Sequence, residues 1–301
     1  MLEGIEISDD FLTLELKQLD RTIYMPLNLH SCNQREYILM CELIYRLENG
    51  AIDYDDFKRY AVYGLLNLKK GNRKISPYEL DDALSTIGFI AEYVCNFFYQ
   101  KDGKNLIKVH YAKSNIAYID PELVKMYAPG QYFVNMTWKE YGEALNVFFE
   151  YNRTKDNKML VRLAAILYQE HQGSRRMKYD VESIEKRMKK MRYVGIGILY
   201  GVYYNFAGFH TYFSSSSVSW EGKIIDMSII FSEQEGEVKN EFESTFPSLG
   251  LKSISYQLAE SGVFGNDKEL GESNLWEVAL RLYDVRKRDL DRVAQETTEK
   301  K

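Results

Sequence analysis

The side chains of this sequence that could do chemistry are few and poorly spaced for it. The four histidines, His30, His110, His171 and His210, fall in no HxxxH or HExxH arrangement, so no two imidazoles share a helix face as a metal site needs. Asp53-Tyr54-Asp55-Asp56 resembles the opening of a calcium loop. It lacks the glycine at the sixth position and the glutamate at the twelfth that close such a loop around the ion. Acidic residues in that pattern suit the start of a helix, where free N–H groups favour negative charge. Ser214–Ser217 is not a nucleophile motif, and the chain carries no P-loop, no GxGxxG after a strand and no GxSxG. Carboxylates such as Glu260 or Asp267 could move protons. Among 44 acidic residues, chance proximity is expected, and no catalytic role follows. These residues read as a non-enzyme without metal or cofactor.

Two stretches could meet a partner. Lys186, Arg187, Lys189, Lys190 and Arg192 form a basic cluster, with Arg175, Arg176 and Lys178 upstream, that could touch phosphates. Glu182 and Glu185 lie beside it, which favours the solvated first half of a helix. The run from Tyr193 to Phe213 holds 21 residues without a formal charge and contains Gly197 and Gly201 four apart. Its length would permit a membrane span. Five tyrosines, four glycines, Asn205 and His210 leave it too polar for one. A central helix with close glycine-mediated packing is the better expectation, and no membrane segment is expected.

The elements that would position these residues follow from periodicity. Phe11–Leu16 and Thr22–Met25 alternate as strands do. A helix opens at Ser31 or Asn33, each with a Gln or Glu three residues on, turns Tyr37, Cys41, Ile44 and Tyr45 inward, and ends at Gly50. A second starts near Asp53, carries Phe57, Tyr60, Ala61 and Leu65 inward, and closes at Gly71. A third has Ser76 as cap, Pro77 in its first turn and Glu79 completing the box. Its stripe runs Leu80, Leu84, Ile87, Ala91, Val94, Phe98. Lys101–Lys104 reads as a turn and Leu106–Tyr111 as a strand. Thr137 and Glu140 open a helix bearing Trp138, Tyr141, Leu145 and Phe148 on one face. A polar turn follows at Asn152–Asn157. A second stripe, Met159, Leu160, Leu163, Ala164 and Leu167, makes an antiparallel hairpin. Asp180 caps one long helix, basic first and apolar from Tyr193 to Phe213, which the serines of 214–217 break. Residues 218–231 read as a strand pair or an extended arm. Residues 248–260 and 274–295 read as helices, the latter capped by Asn274.

The expected fold is therefore mainly α, a multi-helix bundle with minor β strands near the N-terminus and around 218–231. Three segments are expected: a mixed, mostly helical region 1–130, a helical hairpin plus long helix over 131–213, and a C-terminal arm with helices over 214–301. The composition, 45% hydrophobic and 28% charged, is that of a globular protein with a sizeable core. A net charge of −5 gives no global argument for nucleic acid. Cys32, Cys41 and Cys95, odd in number and without CxxC spacing, read as reduced, packed thiols of a cytosolic protein. MLEGIEISDDF has no basic or apolar region of a signal peptide. The 24 tyrosines against 3 tryptophans suit half-buried surfaces and surfaces covered on association.

The order Thr137-Trp138-x-x-Tyr141, helix, polar turn, Leu163-Ala164-Ala165-Ile166-Leu167-Tyr168 resembles proteins of bacteriophage tail-morphogenesis regions. The basic helix with an aromatic second half, Lys186–Phe213, and the closing segments Ser253–Phe264 and Leu275–Tyr283 continue the resemblance, which covers roughly residues 132–285. It is to tail assembly chaperones. It implies a non-enzymatic protein of the host cytoplasm or virion that covers the apolar surface of a tail or virion partner. The partner-binding residues expected from it are Trp138, Tyr141, Tyr200, Tyr203, Tyr204 and Phe206, with self-association left open. A permanent virion component, such as a connector, ring or capsid-interior protein, is the alternative. A nucleic-acid-binding module built on Lys186–Arg192 is a second.

Overall fold

A computed structural model describes residues 4–16, 21–68, 76–109, 114–172, 175–176, 179–231 and 263–299. It is mainly helical with small antiparallel sheets, as expected from the sequence. Contacts divide the chain into two compact units, residues 1–117 with Tyr193–Phe206, and Tyr118–Arg192 with Ala207–Lys301. The segment Tyr193–Phe206, read from the sequence with 131–192, thus packs with the N-terminal residues.

In the first unit β1 (Gly4–Ile7), β2 (Phe11–Leu16) and β3 (Arg21–Pro26) form an antiparallel sheet in that order. Alternation puts Leu12, Leu14 and Met25 inward and leaves Tyr24 outside. The helix α1 (Gln34–Glu48) starts on a complete Asn33–Glu36 capping box, which selects Asn33 over Ser31. Gly50, at φ +67, ends it as expected. The Asp53 side chain accepts from the backbone N–H of Asp56 and caps α2 (Tyr54–Leu65), so the calcium-like stretch is a helix start. Phe57, Ala61 and Leu65 are buried, but Tyr60 is exposed, against expectation, with the Arg46 guanidinium over its ring. That helix ends before Gly71, which lies outside the described residues.

The third helix is shorter than its stripe. α3 (Pro77–Ala91) passes into a tighter 3-10 turn, Glu92–Phe97, which leads to the hairpin β4 (Phe98–Lys101) and β5 (Lys104–Ile107). The hairpin turns at Asp102 and Gly103, both at positive φ. Val94 and Phe97 are buried by the 3-10 turn, whereas Leu84 is half exposed. The side chain of Glu79 lies outside the described residues. Cys32 and Cys41 are buried thiols pushed up in pKa by desolvation, while Cys95 is exposed and not packed as expected.

In the second unit two short pairs, β6 (Tyr118–Ile119) with β7 (Met126–Tyr127) and β8 (His171–Gln172) with β9 (Arg175–Arg176), flank the helical hairpin. α4 (Trp138–Thr154) opens on the Thr137–Glu140 box. Lys155, in the left-handed conformation, and the capping Asp156 turn the chain into α5 (Asn157–Leu167). The long basic-then-apolar helix is two helices, α6 (Val181–Met191) and α7 (Ile196–Ser215). The chain turns at Arg192–Gly195, and the Gly195 carbonyl starts the second ladder. Ser214 and Ser215 do not break α7. Their hydroxyls donate back to the carbonyls of His210 and Thr211 and carry the helix on. Residues 217–226 form the hairpin β10 (Ser217–Trp220) and β11 (Lys223–Asp226), followed by α8 (Ser228–Phe231). The helix expected at 248–260 lies outside the described residues. α9 (Asp267–Glu272) and α10 (Leu275–Glu299) follow. The Asn274 side chain accepts from the Trp276 N–H, and its amide reaches the Val134 carbonyl at 2.7 Å, so α10 and α4 start side by side.

Two glycines explain how α7 begins. A Cβ on Gly197 would lie 2.6 Å from the Ile38 backbone oxygen, and one on Gly201 would meet Tyr37 and Ile116. The Tyr37 hydroxyl donates to the Gly201 carbonyl at 2.8 Å. The pair serves close helix packing, as the sequence indicated. Gly197→Ala gains about 1 kcal/mol of helix propensity but forces backbone apart, for a net loss of about 1–2 kcal/mol. Gly142→Ala, where a Cβ meets nothing within 4 Å, is the control and raises stability by up to about 1 kcal/mol. Chemical denaturation of the two variants checks the opposite signs.

Candidate functional site

The aromatic residues singled out from the sequence lie mostly inside the protein. In the first unit Tyr200, Tyr204 and Phe206 are buried and Tyr203 is half-buried. Tyr200 stacks on Tyr203 with ring centroids 5.2 Å apart and meets Tyr45 edge-on. The hydroxyls of Tyr200 and Tyr204 both donate to the Glu48 carboxylate, Tyr204 at 2.6 Å. Burial, then the neighbouring Tyr200 and Glu48, pushes the Tyr204 phenol far above its ordinary pKa. This is a tyrosine cluster with its polar tips satisfied at the last turn of α1.

In the second unit Trp138 and Tyr141 are buried. They belong to an aromatic core in which Phe209 stacks on Phe133 at 4.0 Å and meets Tyr141, Phe213 and Trp276. Phe133 is held there by left-handed backbone at Tyr132 and Phe133, whose cost is offset where the Trp276 indole N–H donates to the Tyr132 carbonyl at 2.7 Å. The Tyr141 hydroxyl lies 2.8 Å from His210 Nδ1, and Phe148 and Phe149 flank the imidazole. Burial raises the Tyr141 pKa and lowers that of His210. The phenol therefore keeps its proton and the imidazole favours its neutral form, the two sharing a hydrogen bond whose direction follows the imidazole tautomer.

The sign of the His210 shift fixes a pH dependence. The unfolded imidazole, with a pKa near 6.5, binds a proton that the folded one refuses. The stability from its neutral form is present above about pH 6.5 and is lost as pH falls from there to the lower folded pKa. His210→Gln keeps an acceptor for Tyr141 and removes the titration. Its denaturation midpoint between pH 7 and pH 5 should fall less than that of the parent protein.

A polar group also lies within the second unit. Glu140 and Gln169 are buried and hydrogen-bonded to each other. Glu140 also accepts from the backbone N–H and hydroxyl of Thr137. Tyr179 donates to Glu143 at 2.7 Å, and its pKa is raised by burial and then by Glu143, with Glu140 and Arg187 near enough to act on it. Arg187, from the basic cluster, is buried, and its Nε donates to the Ala165 carbonyl at 2.6 Å. Lys190 pairs with Glu170. The cluster is therefore partly a clamp of α6 on the helical hairpin, with Lys186, Lys189 and Arg192 exposed. Arg175, Arg176 and Lys178 have no described side chains.

What is exposed lies elsewhere. Eight of the twenty exposed large hydrophobic side chains among the described residues fall within residues 60–106 of the first unit. On α3, Tyr78 is 87% exposed and Leu84 and Phe89 are each 51% exposed. Only Ile90 and Ala91 of this helix are buried among its described side chains. The inward stripe read from the sequence was correct for its C-terminal end, but Tyr78 and Phe89 were missed. A signal was there. They stand eleven residues apart, about three turns, and so share a side of the helix away from that stripe. A helix apolar on two sides has more to cover than one neighbour can.

No family model, curated protein or solved structure matches the chain. No helix among the described residues is long and apolar enough to cross a membrane, and no group of three or more metal-ligating side chains occurs among them.

Proposed function

We propose that the chain is a non-enzymatic morphogenesis protein of the phage tail-assembly-chaperone kind, which covers apolar surface of a tail or virion protein until that protein assembles. The observation that supports this reading is the exposed apolar surface of residues 60–106, headed by Tyr78, Leu84 and Phe89. Large apolar groups held in water on a helix whose described side chains are buried only at its end are what a contact surface requires. The contact residues accordingly shift from Trp138, Tyr141, Tyr200, Tyr204 and Phe206, which are used in the interior, to α2 and α3. Tyr203, half-buried, belongs with the interior set.

The test is hydrogen exchange on the chain with and without purified phage tail proteins, together with mass spectrometry of mature particles. The expected result is new protection within residues 60–106 on adding one of those proteins, and absence of the chain from finished particles. Fixed stoichiometry in particles would favour the permanent virion component. No protection from any of them would overturn the reading.

A further inference from the structure

We infer that the second unit binds single-stranded nucleic acid on a ladder of rings formed by Tyr118, Tyr127 and His171, with lysines beside it for the phosphates. The inference goes beyond the covering of a protein partner and does not draw on residues 60–106. Backbone pairing brings the rings together. Tyr118 is the register partner of Tyr127, so both stand on one face of the β6–β7 pair, opposite the buried Ile119 and Met126. The backbones of Tyr127 and Gln169 exchange hydrogen bonds at 2.8 and 3.1 Å. That sets β7 against the residues leading into β8 and carries His171 to the Tyr127 ring. Imidazole and phenol stack with centroids 4.2 Å apart, and the Tyr118 ring lies 6.3 Å from that of Tyr127. The ladder is at the surface. Tyr118 is 39% exposed, His171 is exposed and Tyr127 is half-buried. Tyr127 covers one face of the imidazole, which leaves the other for a base.

Charge identifies the ligand. Residues 118–192 hold 14 lysines and arginines against 10 acidic residues, a surplus of four in a chain whose net charge is −5. Part of that surplus stands at the ladder. Lys125 is exposed, and its Nζ lies 4.9 Å from the Tyr118 ring centroid. Arg176, in β9, is the register partner of His171. α6 packs on the turn Pro121–Leu123 between β6 and β7. Its Lys190 pairs with Glu170, the residue before His171, and so neutralises that carboxylate. Lys186 and Lys189, exposed and three residues apart, share a side of the same helix. The part of the basic cluster not spent on clamping α6 thus lies on an element that adjoins the ladder. Asp120 and Glu122, beside the same turn, keep charge alone from holding a polyanion tightly, so the rings must carry the preference. Unpaired bases offer faces to such rings while their phosphates run past the lysines. A duplex keeps its bases stacked on one another, and an acidic peptide has none.

Fluorescence anisotropy with the full chain tests this, using labelled oligothymidylate and oligouridylate of about 20 nucleotides, a duplex of the same length and polyglutamate. Both single strands should bind with a Kd in the micromolar range at about 50 mM salt, at least tenfold tighter than the duplex or polyglutamate. Affinity should fall with salt at a log–log slope near −2, for about three phosphate contacts at about −0.7 each. Tyr118→Ala should weaken binding about tenfold and Tyr118→Trp should keep it, both with unchanged circular dichroism spectra. On a strand of abasic sites Tyr118→Ala should change nothing, because no base is there to stack. Lys186→Glu with Lys189→Glu should weaken the thymidylate and abasic strands alike. Tyr99→Ala, at a 45% exposed tyrosine of the first unit, should leave binding unchanged. A preference between thymidylate and uridylate supports the site and tells DNA from RNA as its ligand. No binding up to about 1 mM, equal affinity for the duplex or polyglutamate, or a Tyr118→Ala effect that persists on the abasic strand would overturn the inference.

Discussion

Phe209→Ala is expected to lower stability by about 3–5 kcal/mol, the usual range for deleting a large aromatic from a core. Phe209 is fully buried and touches four rings, Phe133, Tyr141, Phe213 and Trp276. Their positions come from three elements and from the strained turn at Tyr132 and Phe133. The cavity therefore cannot close by moving one side chain, which puts the cost high in that range. All three tryptophans, Trp138, Trp220 and Trp276, belong to the second unit, so intrinsic fluorescence in a urea titration reads the effect where it arises. Phe209→Leu retains most of the volume and should cost less than half as much. Equal losses for the two variants would mean that the ring stack matters less than its geometry implies.

Glu140→Ala comes next, at about 3 kcal/mol. It leaves the buried Gln169 amide with the long contact to the Ile166 carbonyl, at 3.4 Å, and takes the acceptor from the Thr137 N–H and hydroxyl, and a buried donor left unmade costs about 1–3 kcal/mol. Loss of the capping box adds to it. Glu140→Gln separates charge from hydrogen bonding. Its carbonyl can serve Thr137, and Gln169, whose Oε1 has no hydrogen-bond partner among the described residues, can turn that oxygen toward the new amide. The expected cost is about 1 kcal/mol. Alanine and glutamine variants with the same denaturation midpoint would show that this buried contact contributes little.

These effects bear on function because they separate interior from surface. A variant at Phe209 or Glu140 should impair any activity only through loss of folded protein. Substitutions at Leu84 and Phe89 should leave folding intact and remove contact. The same division decides how the aromatic wealth of the chain is to be read. Tyrosine number suggests surfaces waiting to be covered, yet Tyr200 and Tyr204 of α7 are buried in the first unit with their hydroxyls turned to Glu48 of α1. Phenols with satisfied tips make good core residues as well as good contact residues, and composition alone does not separate the two.

Helix starts, turns and faces were determined by the sequence itself. Asn33, Asp53, Thr137 and Asp180 cap the helices they precede, because a short polar side chain satisfies a free N–H within three residues and needs nothing distant to do so. Asp102-Gly103 turns a hairpin for an equally local reason. The close glycine packing of α7 was legible too, since only a missing Cβ lets backbones approach that far. Tertiary structure alone decided which apolar faces found a neighbour. Periodicity puts Leu84 and Ala91 on one stripe, but Ala91 is buried while Leu84 is half exposed, and Tyr78 and Phe89 meet too little to be covered. Burial depends on what the fold brings alongside, which is a property of chain segments far apart in sequence, and so Trp138 and Tyr141 became interior while α3 was left to face outward.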